Sequence, residues 1–100
     1  MDVDLDPNDG NDECIYQVSD DRFYMVIWVN KSRLPETRKA VTALREGDEA
    51  VFGTISCGER VWIWRDESGY WICVGDTDSK DICYNLSKTE VDLLLKAEIV

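Results

Sequence analysis

The side chains of this chain that could do chemistry are carboxylates and thiols, and there is no histidine to join them. Without imidazole there is no Ser-His-Asp or Cys-His arrangement and no histidine general base. No glycine-rich phosphate loop or dinucleotide fingerprint is present. Acids number 21 against 11 lysines and arginines, a net charge of −10 over 100 residues. Carboxylates this abundant make any single pair uninformative about hydrolysis, so the expectation is a protein that is not an enzyme.

Two patterns bear on metal binding. Asp2, Asp4, Asp6, Asn8 and Glu13 stand at the ligand spacing of an EF-hand calcium loop. The position that needs glycine's positive φ is instead Pro7, whose ring holds φ near about −65°. Cysteines occur at 14, 57, 73 and 83 with no C-x-x-C pair, which is not a zinc-site spacing. They read as reduced, small buried hydrophobes, with disulfides as the alternative in an oxidising compartment. Neither a metal nor a cofactor is expected.

What remains is charge. Residues 1–13 carry six acids and no base, and read as a disordered acidic tail ahead of a single domain over 14–100. A surface this negative repels phosphate and attracts basic surfaces. Direct nucleic-acid binding is therefore not expected, whereas a protein that itself binds nucleic acid is a fitting partner. The carboxylates expected to contact it lie in turns and strand ends: Asp20, Asp21, Asp66, Glu67, Asp76, Asp78 and Asp81. In this character the chain resembles, as a class, phage-encoded DNA mimics, anti-CRISPR proteins and immunity proteins that neutralise nucleases. The tail would add long-range steering.

The elements that must position these groups follow from patterning. Residues 14–19 and 22–29 are β-prone, and the second run is apolar on both faces. Residues 34–46 read as a helix, with Pro35 in its first turn and Gly47 as its stop. A strand over 49–56 precedes the clearest hairpin, 60–65 and 70–74 around Asp66-Glu67-Ser68-Gly69. That turn predicts Arg65 opposite Tyr70, Trp64 opposite Trp71, Ile63 opposite Ile72, Trp62 opposite Cys73 and Val61 opposite Val74. Trp62, Trp64, Trp71 and Cys73 then share one face. Either they pack beneath a helix, or they form an aromatic interaction surface, the alternative function. A strand over 81–86 leads to a helix opened by the Ser87/Glu90 capping-box spacing, with Val91, Leu94, Leu95 and Ile99 as its apolar stripe.

The predicted fold is α+β: an antiparallel meandering sheet of five to six strands with two helices on one side, in the order β-β-α-β-β-β-β-α. A hydrophobic content of 44% with four tryptophans supports a folded body. No apolar run reaches the roughly 18 residues of a membrane span, and the acidic start does not read as a secretory signal. The expected location is the cytoplasm of the producing or infected cell, with no membrane association. An edge strand from the hairpin region offers a route to a homodimer.

Overall fold

Period-two alternation of apolar residues builds most of this molecule. The computed structural model describes residues 1–7, 12–76 and 80–99. Among them the strands are β1 (Asp2–Pro7), β2 (Glu13–Ser19), β3 (Tyr24–Asn30), β4 (Glu49–Thr54), β5 (Arg60–Asp66), β6 (Gly69–Gly75) and β7 (Lys80–Leu86). A 3-10 turn at Lys31–Arg33 leads into α1 (Leu34–Thr42), and α2 (Lys88–Lys96) follows β7. The strands form one antiparallel sheet in sequence order, a meander of seven rather than five to six.

The extra strand lies in the segment read as a disordered tail. Asp2–Pro7 pairs with β2 along its whole length, from Asp2↔Ser19 to Pro7↔Cys14. The cause is the pair of apolar residues between the acids: Val3 packs against the core and Leu5 is 1% exposed within it. Leu5 also bridges Ile99, which lies beyond α2 instead of on its apolar stripe as expected.

The central hairpin has all five predicted cross-strand pairs. Its strands reach further than expected, to Asp66↔Gly69, so only Glu67 and Ser68 form the loop. Gly69 takes φ +135°, a conformation that side-chain-bearing residues rarely adopt. β5 and β6 each have a strand on both sides, so the sheet edges are β1 and β7, not the hairpin.

The sheet is rolled. β3 and β7 are four positions apart, roughly 19 Å in a flat sheet, yet the Phe23 and Tyr84 rings stack at 4.6 Å. Tyr16 of β2 likewise meets Phe52 of β4 at 5.0 Å. The concave side holds the core: Tyr16, Ile27, Phe52, Ile63, Ile72 and Leu86 pack there with Leu34 and Val41 of α1 and Val91 and Leu94 of α2. Tyr16 ties both helices in, donating its hydroxyl to the Leu94 carbonyl (3.0 Å) while Arg38 donates to Tyr16 Oη and to the Ala97 carbonyl. Ser87 caps α2, its hydroxyl accepting from Glu90 N–H and the Glu90 carboxylate accepting from Ser87 N–H.

The roll has a weak point. β3 and β4 share a single paired position, Trp28↔Thr54. Gly53 is what lets the two backbones meet there: a Cβ on it would lie 2.5 Å from the Trp28 carbonyl oxygen.

The cysteines differ from the reduced set expected. Cys73 and Cys83 are bonded across β6 and β7, while Cys14 (buried) and Cys57 (exposed) are free. The bond follows from register, because Cys73↔Cys83 is a directly opposed pair on neighbouring strands.

Candidate functional site

Of the seven turn acids, the six among the described residues separate into two groups. Asp20 and Asp66 are held within the protein. Asp20 accepts from Arg22 Nε at 2.6 Å and from the Asp21 backbone N–H, and the Arg22 hydrogen bond holds its carboxyl below the usual range. Arg22 also reaches Glu90 at 3.2 Å and the Asn85 carbonyl, which fastens the β2–β3 turn to β7 and α2. Asp66 accepts from the Ser68 hydroxyl (2.7 Å), the Ser68 N–H (2.8 Å) and the Trp71 indole N–H (2.9 Å). Its carboxyl too is lowered, chiefly by the Ser68 hydroxyl.

Asp21, Glu67, Asp76 and Asp81 are exposed. They do not converge, since the β5–β6 turn that carries Glu67 and the β6–β7 connection that carries Asp76 lie at opposite ends of the same strand. Asp78 lies outside the described residues, as do Asn8 and Asp9.

A further acidic surface was missed because its residues were assigned to a tail. On β1, Asp2, Asp4 and Asp6 alternate with the inward Val3 and Leu5 and project from the convex face. Strand geometry spaces them about 6.6 Å apart in a row. Asp2 and Asp4 are exposed, and Asp6 accepts from Gln17 Nε2 at 2.8 Å. A straight row does not converge on one ion as a calcium loop does. It does protect an edge strand from pairing with another chain, because charge on the edge discourages stacking of strands. The Asp-Val-Asp-Leu-Asp alternation was the available signal.

Part of the positive charge is paired within the protein. Arg22, Arg38, Arg65, Lys80 and Lys88 are all engaged within the protein. Five of the eleven bases are thus tied to partners within the protein, three of them to carboxylates, and the net charge of −10 keeps the outer field negative.

The tryptophan face is not under a helix. Both helices pack against the opposite side, whose core includes Val61, Ile63, Ile72 and Val74 but neither Trp62 nor Cys73. Trp62 is nonetheless 6% exposed. Its indole N–H donates to the Gly75 carbonyl (2.9 Å), and the Lys80 ammonium lies 5.1 Å over its ring. Lys80 in turn pairs with Glu49 at 2.6 Å, so an ion pair covers the ring that sequence reading offered as an anchor. Trp64 and Trp71 are half-buried neighbours, with ring centroids 6.3 Å apart.

Sequence reading also missed the concavities around Trp28. One of them, about 490 Å³, opens where β3 leaves β4 and is lined by Tyr24, Val26, Trp28, Ile55, Ile82 and Tyr84 among others. Its residues come from four separate segments, so no local motif announces it.

Comparison with family models, with curated proteins and with solved structures finds no match for this chain. Among the described residues, no helix is long and apolar enough to cross a membrane.

Proposed function

We propose that this chain is a small non-enzymatic inhibitor or antagonist that docks on a basic, nucleic-acid-binding surface of another protein. Its carboxylates would take the place of backbone phosphates there. The observation that carries this reading is the row of Asp2, Asp4 and Asp6 on the outer face of a fully paired edge strand. Carboxylates fixed on a strand lose less freedom on binding than the same groups on a flexible tail, so more of their attraction survives as affinity. The exposed Asp21, Glu67, Asp76 and Asp81 widen the negative field and speed encounter. Asp20 and Asp66 have a different role in this reading: they hold turns in shape.

The reading places the protein in the cytoplasm of the producing or infected cell. Disulfides are rare in that compartment, so Cys73 and Cys83 are expected there as thiols, and a free-thiol count on freshly lysed cells checks this.

The test is a pull-down from the source cell's lysate, eluted with a salt gradient and repeated with added DNA. A captured nucleic-acid-binding protein should leave at moderate salt, be displaced by DNA, and fail to bind an Asp2→Lys/Asp4→Lys variant. A partner that stays bound in high salt and ignores DNA would overturn the reading.

A further inference from the structure

The sheet does not close where β3 parts from β4. Among the described residues, no position of β3 other than Trp28 pairs with β4, so residues 24–27 have β2 on one edge and no strand on the other. That free edge borders the cavity of about 490 Å³, whose other walls include Ile55, Val74, Ile82 and Tyr84. Tyr24 and Ile82 stand at its rim, 64% and 51% exposed.

Two requirements meet in this gap. An unpaired strand edge presents backbone N–H and C=O groups that another extended backbone can satisfy. An apolar pocket alongside it accepts every second side chain of such a strand. A helix would meet the second requirement but not the first. Charge then selects the occupant. Glu59, exposed, also lines the cavity, and the whole chain carries −10. A second copy would bring the same charge to its own edge, whereas a segment bearing lysine or arginine would be drawn in.

We propose that the free edge of β3 and its cavity bind an extended segment of a partner protein, with alternating apolar side chains and flanking basic residues, by strand addition. The surface is separate from the acidic face of β1, and the inference stands without the phosphate-mimic reading.

The test uses the full chain and a displayed library of random peptides about ten residues long, a little more than one strand. Enriched peptides should alternate β-branched or aromatic residues with polar ones and carry bases at their ends. In hydrogen-exchange NMR the synthetic peptide should slow the amides of residues 24–27. N-methylation of a central peptide residue should abolish binding, and exchanging its bases for glutamate should weaken it by about tenfold. An exposed-site variant, Ile82→Glu, should weaken binding while leaving the fold's NMR spectrum intact. Failure to enrich any peptide, enrichment of acidic ones, or protection confined to β1 would overturn the proposal. So would a concentration-dependent dimer abolished by Tyr24→Glu, which would give the edge to a second copy.

Discussion

Trp71 donates its indole N–H to the Asp66 carboxylate at 2.9 Å, and through it an acid at one end of the hairpin loop is joined to an aromatic residue on the returning strand. Asp66 also accepts both donors of Ser68, so one carboxylate closes the loop and fixes the outer aromatic face beside it. A residue of this kind is a structural element of the hairpin.

Stability should therefore fall in acid in a way that depends on Asp66 and Asp20. Both carboxyls are lowered in the folded state, Asp66 by the Ser68 hydroxyl first and Asp20 by Arg22 first. A lowered folded value means stabilisation that is present above the unfolded value, about 3.9, and lost as pH falls through the folded one. Urea midpoints followed by tryptophan fluorescence should drop below about pH 4. The drop should be shallower in Asp66→Asn, and an unchanged pH profile in that variant would contradict the assignment.

Gly53→Ala should be costly because of space alone. The added Cβ would meet the Trp28 carbonyl oxygen at 2.5 Å, a backbone atom, and Ile27 Cγ2 at 2.6 Å, an atom of a fully buried side chain. Separating β3 from β4 at their single paired position should cost about 2 kcal/mol or more. Gly58→Ala, with φ +88° and nothing within 4 Å, should cost only its backbone strain, about 1 kcal/mol. Chemical denaturation of the two variants side by side gives the comparison.

Thiol chemistry should sort the four cysteines into three classes. In the folded oxidised protein a thiol reagent should modify Cys57 alone, since Cys14 is buried and burial pushes its thiol up. Unfolding without reductant should expose Cys14 as well, and reduction should release Cys73 and Cys83. Breaking the bond by Cys83→Ser opens a loop of sequence separation 10 and should cost about 2–3 kcal/mol.

Tyr16→Phe should loosen both helices at once. It removes the donor to the Leu94 carbonyl and the acceptor of Arg38, leaving buried polar groups unmatched. The expected loss is about 1–2 kcal/mol, and amide exchange should quicken in α2 more than in the β5–β6 hairpin. Uniform quickening would show that Tyr16 acts only through overall stability.

Much of the fold was legible because it is encoded locally. The hairpin register follows from a turn with defined chemistry and five matched pairs, and α2 from a serine and a glutamate three residues apart. β1 was legible too, in the alternation of Val3 and Leu5 with aspartates, but its charge outweighed its pattern. The acidic candidates were less legible. Asp21 and Asp66 are both aspartates beside a hairpin turn, and it is the strand pairing and the neighbouring donors that make Asp66 structural while Asp21 stays exposed.

By itself the sequence determined the order of strands and helices from β2 onward, the pairing of β5 with β6, and the negative charge that any partner must answer. These depend on short-range periodicity and on composition, which need no folded chain to be read. The tertiary structure decided that the sheet rolls, that Lys80 and Glu49 cover Trp62, that Cys73 meets Cys83, and that β3 parts from β4 to leave an apolar gap. Each of those joins residues far apart in the chain, and their meeting is fixed by how the strands twist and pack rather than by any local preference.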